Sequence, residues 1–197
     1  MSRMEHRRAQ ALCAATAALA ALLLIGLASP GAPAAARGLV VAAQPAGTFA
    51  PSFAVAGLVA APRSFSLDDL VALPQVDLPV TFGAGQSIQS AVFTGPTLLD
   101  VLNAAGGPAF PPGRDNNKLR TYVLATGADG YQALLAWGEI DPDFGAEPVL
   151  VAWARDGQPL GDGQGMARLV VPGDKRGGRH VATLARLEVR DGGGASR

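Results

Sequence analysis

Residues 170–181, VVPGDKRGGRHV, combine cationic side chains with glycines, and this combination can bind an anion. Glycine lets backbone N–H groups approach an oxyanion, and an arginine guanidinium can donate two parallel hydrogen bonds to it. We therefore take Lys175, Arg176, Arg179 and His180 as candidate ligand-binding residues. The alternative is a solvated connection whose charges serve only solubility.

The sequence contains few residues that could bind a metal ion or act as a catalytic nucleophile. The chain has one cysteine, Cys13, and its only histidine besides His6 is His180, so residues after 36 cannot assemble a zinc or thiolate site. No G-x-S-x-G nucleophile motif is present. Residues 141–147, DPDFGAE, could offer carboxylates to Ca²⁺ or Mg²⁺, but they lack EF-hand spacing, which favours a solvated turn. We predict no metal site.

Asp129 and Tyr131 lie in the sequence DGY, at a turn and at the start of the following strand. Turn aspartates usually bond to their own backbone, and strand tyrosines usually pack. A structural role is therefore favoured for Asp129 and Tyr131. The alternative is that both belong to a cofactor site, and we keep them as candidates for it.

The N-terminus has the layout of a secretory signal peptide. A basic start precedes the apolar residues 11–28, and small residues at Ala34 and Ala36 predict cleavage near Arg37. The alternative is an uncleaved membrane anchor formed by residues 11–28. We therefore expect a protein exported to the periplasm or the cell exterior, in contact with the membrane only if this segment is kept.

Charge and length indicate one domain that does not bind nucleic acid. The first 36 residues hold three of the 16 basic and one of the 16 acidic residues, which leaves 13 and 15 and a formal charge of −2. Nucleic-acid binding relies on a clearly basic surface. Our predicted organisation is a signal peptide at 1–36, a linker at 37–52, one domain at 53–191 and a disordered tail at 192–197.

Alternating and continuous apolar runs predict a β-rich α+β domain, with a mixed sheet or barrel-like core. Ser66 with Asp69, and Thr97 with Asp100, form capping arrangements that start short helices. The predicted helices are 67–73, 98–105 and a turn within 137–144. The predicted strands are 53–59, 76–82, 88–94, 118–126, 131–137, 148–154, 168–172 and 185–190.

Six segments occur in an order that resembles the molybdopterin-binding oxidoreductase domain of the sulfite oxidase class, in its small stand-alone exported members. The resemblance covers nearly all of residues 53–190. It implies the sulfite-oxidase-type fold and molybdopterin as the cofactor. The segments are GLVAAPRSFSLDDLVALP, VTFGAGQ, FTGPTLLDVLNAAGG, TGADGYQALLAWGEI, VLVAWARDGQPL and RLVVPGDKRGGRHVATLARLEV.

Two departures from the family pattern limit what the resemblance implies. Catalytic members bind molybdenum through a cysteine in a segment like V-T-x-x-C-A-G-N, where this chain has VTFGAGQ and Gly83 in the cysteine's place. The family stretch P-G-x-x-G-x-R-x-V-K-W-L lies near the pterin phosphate; Arg179, His180 and Val181 fit it, whereas Ala182 and Thr183 replace its basic and aromatic residues.

Three functions follow as hypotheses, and whether the chain is an enzyme is left open. The first is a binding or accessory module without a molybdenum–thiolate centre, beside a periplasmic redox or membrane partner. The second is an oxidoreductase that holds molybdopterin through its pterin alone. The third is an interaction domain that binds no cofactor.

Overall fold

The computed structural model describes residues 51–113, 116–161 and 163–193. The predicted signal peptide or anchor, most of the predicted linker and most of the predicted tail lie outside these residues. Within them, no helix has both the length and the apolar content needed to cross a bilayer.

Strands dominate the domain, and the helices are short. The strands are β1 (Ser52–Gly57), β2 (Arg63–Ser66), β3 (Val76–Ala84), β4 (Ser87–Gly95), β5 (Thr121–Gly127), β6 (Gln132–Ala136), β7 (Leu150–Ala152), β8 (Ala154–Arg155), β9 (Gln158–Pro159), β10 (Arg168–Val170) and β11 (Leu184–Asp191). The α-helices are α1 (Leu67–Val71), α2 (Leu98–Ala104) and α3 (Trp137–Ile140), and 3₁₀ turns span Asn117–Arg120 and Gly177–Arg179.

The largest sheet has five strands in the order β2-β1-β11-β5-β6. Strand β11 pairs parallel with β1 and antiparallel with β5, so the two ends of the described domain meet in this sheet. Alternating residues of β1, β5 and β11 are buried, as a sheet with one covered face requires. This face carries the larger apolar core, which includes Phe53, Val123 and Leu187.

A four-stranded sheet, β3-β4-β8-β9, and the β7–β10 pair form the second part of the domain. Phe82 of β3 and Phe93 of β4 lie in a smaller apolar core with Leu150, Ala152 and Val170. Their ring centres are 6.5 Å apart. His180 contacts Phe82 in this second core, and Arg155 and Arg168 lie near the ring of Phe93.

The α+β prediction and both predicted capped helices are confirmed. The Ser66 hydroxyl accepts a hydrogen bond from the Asp69 backbone N–H at 3.3 Å, and the Ser66 N–H donates to the Asp69 carboxylate at 2.8 Å. The Thr97 hydroxyl accepts from the Asp100 N–H at 3.1 Å. Gly106 follows α2 with a φ of +84°, the left-handed conformation that ends a helix.

Several elements differ from the predictions, and β2 was not predicted. The predicted single strand 148–154 divides at Trp153, because the chain leaves β10 and the Trp153 N–H donates to the Thr94 carbonyl of β4 at 3.0 Å. Residues 158–159, which lie outside every predicted strand, form β9 and pair with β8 in a short hairpin. The strand predicted at 118–126 begins only at Thr121, after a 3₁₀ turn.

Candidate ligand-binding site

The cationic loop, which is the part of residues 170–181 that follows β10, crosses β3 at Gly83. The Gly83 N–H donates a hydrogen bond to the Lys175 carbonyl at 2.9 Å, and Gly83 pairs with Arg176 as an isolated parallel bridge. A Cβ atom on Gly83 would lie 3.3 Å from that carbonyl oxygen and 3.5 Å from the Arg176 Cγ. The structure therefore brings Gly83, Lys175 and Arg176 together, and the side chains of Lys175 and Arg176 are exposed.

His180 is buried at the end of this loop, with only 6% of its surface exposed. Its Nε2 lies 3.0 Å from the Val171 carbonyl, which can only accept, so Nε2 carries the proton and Nδ1 presents a lone pair. Nδ1 is buried and has no partner among the described residues. The ring contacts Phe82 edge-on, with centres 4.5 Å apart.

The pKa of His180 is lowered, chiefly because burial disfavours the imidazolium. The positive charges of Arg168 and Arg179 act in the same direction, and the Val171 carbonyl partly opposes them. The ring is therefore neutral at physiological pH.

Arg179 is held by two carboxylates. Its Nε and Nη2 donate to Asp174 at 2.9 and 2.8 Å, and its Nη1 donates to Glu139 at 3.0 Å. The hydrogen bonds to Asp174 raise the pKa of Arg179 well above its usual range, so the guanidinium stays charged.

A cleft of about 210 Å³ lies beside Arg179. Three carboxylates line it, those of Glu139, Glu147 and Asp174, against the single charge of Arg179. An anion entering this cleft meets an excess of negative charge. A phosphate-binding role of Arg179 stays a prediction, and it would require an anion to compete with two existing ion pairs.

Tyr131, which immediately precedes the edge strand β6, contacts the same loop, whereas Asp129 acts locally. The Tyr131 hydroxyl donates to the Gly178 carbonyl. The Asp129 carboxylate accepts the Tyr131 backbone N–H at 2.9 Å, as a turn aspartate does. Of the two residues, only Tyr131 therefore has a side-chain bond to the loop.

Two arginines that sequence reasoning did not select lie against the second core. The guanidinium carbons of Arg155 and Arg168 are 5.7 and 5.8 Å from the ring centre of Phe93. Arg168 is half-buried and donates to the Gln164 side-chain carbonyl through Nη1, while its Nε is buried with no partner among the described residues.

Burial and a neighbouring positive charge both disfavour the charged form of Arg168, which is half-buried. Burial lowers the pKa of Arg168, and the charge of Arg155 lowers it further. Within the described part of the chain, no carboxylate lies within ion-pairing distance of Arg168. A signal for this residue existed in the sequence, since an arginine opens the otherwise apolar strand RLVV.

The carboxylates at 141–147 have partners within the protein. Asp141 accepts from the Trp137 indole N–H at 2.6 Å and pairs with Lys118 at 2.8 Å, and Asp143 also pairs with Lys118, at 2.7 Å. Among the described residues, no three His, Cys, Asp or Glu side chains are grouped closely enough to hold a metal ion.

Comparison with known proteins identifies the family. The profile of the family described as oxidoreductase molybdopterin binding domain matches residues 49–194. Among solved structures, the fold is similar to the sulfane dehydrogenase SoxCD from Paracoccus pantotrophus, with a TM-score of 0.56 and 23% sequence identity. That alignment covers 71% of this chain and 38% of the other, so this chain spans well under half of the solved one. No curated protein matches the chain.

The family match covers most of the chain, and the strand order and short capped helices are consistent with the sulfite-oxidase-type domain. The resemblance found in the sequence is thereby confirmed. The chain belongs to the family of molybdopterin-binding oxidoreductase domains.

Proposed function

We propose that this protein is an exported binding or accessory module that holds a phosphate-bearing pterin without a molybdenum–thiolate bond. The observation that carries this proposal is Arg168. Its Nε is buried and unpartnered among the described residues, beside Arg155 and the neutral His180. A half-buried cation that has no counter-charge among the described residues is costly, and a bound anion reduces that cost.

The residues of this site fit the phosphate of molybdopterin, but the chain offers no thiolate at Gly83 to bind its molybdenum. When bound, molybdopterin would supply a phosphate and a pterin, and the molybdenum ion that it carries would supply oxidation–reduction chemistry. Arg168 and Arg155 offer guanidinium donors to a phosphate. At Gly83 there is no thiol, and the chain's only cysteine is Cys13, within the predicted signal.

Ligand binding is tested by thermal unfolding of the full chain with and without a phosphate-bearing pterin. We expect the pterin to raise the Tm, and we expect Arg168→Gln to abolish the rise because the buried donor is lost. Arg179→Ala is the matched comparison. It should lower the Tm of the free protein, since Asp174 and Glu139 lose their partner, and leave the ligand-induced rise in place.

The reverse result would assign ligand binding to Arg179 in place of Arg168. If Arg179→Ala abolishes the rise and Arg168→Gln does not, the sequence-based choice of Arg179 is right and the assignment to Arg168 is wrong. If the wild-type Tm responds to no pterin, the interaction-domain hypothesis replaces the binding module.

The oxidoreductase hypothesis makes a separate prediction. Protein purified from its own host would contain molybdenum in near-stoichiometric amount and absorb light above the protein's own band. Metal-free and colourless native protein would overturn it, while leaving the binding module unaffected.

Export and partnership belong to the same proposal. Cell fractionation and the mass of the mature N-terminus test whether the chain leaves the cytoplasm and is cut near Arg37. Cross-linking in intact cells tests for a redox or membrane partner, the kind of protein beside which an accessory module of this family would work.

A further inference from the structure

We propose that Arg155 is a second recognition residue of the Arg168 site and that it makes the site select a doubly charged terminal phosphate over a singly charged anion. This inference rests on the proposed function, because it names the charge state of the group that the site binds. It adds a residue from β8 that neither the sequence resemblance nor the loop motif indicated.

The geometry brings the two cations to one ring. Arg155 pairs with Phe93 across β8 and β4, and Arg168 reaches the same ring from β10. Phe93 is fully buried, so both guanidinium groups lie at the edge of the second core, and the Nε of Arg168 is itself buried there. The Arg155 side chain is 36% exposed, which leaves it accessible to a ligand from solvent.

Among the described residues, the acidic groups near the pair leave its charge largely uncompensated. Asp156 is the only carboxylate that the described residues place within ion-pairing distance of Arg155, at 3.4 Å from its Nε. The other oxygen of Asp156 accepts the Val92 N–H at 2.8 Å, and its side chain is 56% exposed, where an ion pair contributes little. Arg168 has Gln164 as its polar partner and no carboxylate in the described part of the chain.

Two neighbouring cations against an apolar core repel each other. Like charges interact more strongly as the effective dielectric constant falls, so this repulsion is larger here than it would be in water. A monoanion can neutralise one guanidinium, whereas a phosphomonoester dianion can neutralise both and accept hydrogen bonds from each. The pair therefore favours a terminal phosphate over a phosphodiester or another single charge.

The test compares sulfate with nitrate, at matched ionic strength, as probes of the full chain by calorimetry and thermal unfolding. Sulfate carries two charges and nitrate one at neutral pH. We expect saturable sulfate binding to the wild type and little nitrate binding. Phenyl phosphate should behave like sulfate, which extends the result to a phosphomonoester.

Substitutions assign the selectivity to one residue. Arg155→Gln should weaken sulfate binding about tenfold, the usual effect of losing one charge-assisted hydrogen bond, and should reduce the preference over nitrate. Arg155→Lys should restore most of that preference, because it restores the charge. Arg190→Gln is the matched control, since Arg190 is an exposed arginine on β11 paired with Glu188 at 2.8 Å, and it should bind sulfate as the wild type does.

Two outcomes separate this inference from the proposed function. If Arg155→Gln binds sulfate as tightly as the wild type while Arg168→Gln does not bind, the role of Arg155 is overturned and the proposed function is unaffected. If the wild type discriminates between sulfate and nitrate through Arg155 but binds no phosphate-bearing pterin, the proposed function is overturned and the anion selectivity is not. Circular dichroism of each variant verifies that it is folded.

Discussion

Burial of His180 makes the stability of the protein sensitive to pH. The folded protein holds the ring neutral, with Nε2 bonded to the Val171 carbonyl, whereas the unfolded chain takes up a proton at the ordinary pKa of 6.5. Protons then bind better to the unfolded state, so stability rises with pH. The contribution is complete above pH 6.5 and is lost as the pH falls through and below that value.

We expect His180→Gln to flatten this pH dependence. Glutamine can still donate to the Val171 carbonyl but does not titrate. Urea unfolding of both proteins between pH 7.5 and pH 5.5 measures the effect, since no other histidine follows residue 6 and carboxylates titrate mostly below this range. An unchanged slope in the variant would mean that the His180 ring is solvated in the folded protein.

At the scale of elements, the two cores are joined where β4 passes β7. The Val151 N–H of β7 donates to the Pro96 carbonyl at 3.0 Å. Gly95, the last residue of β4, packs directly against β7. A Cβ atom on Gly95 would be 2.4 Å from the Val151 carbonyl oxygen and 2.7 Å from the Ala152 Cα. Both neighbours are backbone atoms, so neither can move aside without displacing a strand.

Gly95→Ala should therefore destabilise the protein, by about 1–3 kcal/mol, the usual cost of overpacking a core. The matched control is Gly161→Ala, where the added methyl group would meet no atom within 4 Å. Chemical denaturation gives the free energy of unfolding of each variant. Equal stability of the two variants would show that β4 and β7 can separate without cost.

Local sequence signals were sufficient to predict the capped helices. The candidate site could not be predicted in this way, because it depends on the packing of strands that are distant in the sequence. Ser66 and Thr97 were identified as helix caps because each bonds to a residue three positions away. Arg155 and Arg168 meet at Phe93 only because β8 pairs with β4 and β10 pairs with β7, which packs against β4, and no spacing in the sequence encodes that meeting. Glu139 was missed as a partner of Arg179 for the same reason, since the two residues are 40 positions apart.

For the molecule as a whole, the position of β11 makes folding depend on the last described strand. Strand β11 lies between β1 and β5, and its Leu187 is fully buried in the larger core. Without β11, the central strands of the five-stranded sheet lose their pairing and the core opens on one side. A partly folded chain would expose unpaired strand edges, which favour aggregation.

A chain ending at Thr183 should consequently fail to fold, whereas a chain ending at Gly193 should fold like the full protein. Gly193 is the better end point because the Gly192 N–H donates to the Arg120 carbonyl at 2.9 Å and the Gly193 N–H donates to Asp191 at 2.9 Å. Far-ultraviolet circular dichroism and the cooperativity of thermal unfolding distinguish the two. A cooperative transition in the shorter chain would contradict the central role of β11.

The hydrogen bond from the Gly83 N–H to the Lys175 carbonyl provides a built-in reporter of the cationic loop. Glycine amides resonate in a separate region of a nitrogen–proton correlation spectrum, so the Gly83 signal can be followed directly. Its rate of exchange with deuterium measures how often the loop lifts from β3. Slower exchange on adding a ligand would show the loop closing over an occupied site, and it can be read from one backbone amide without an activity assay.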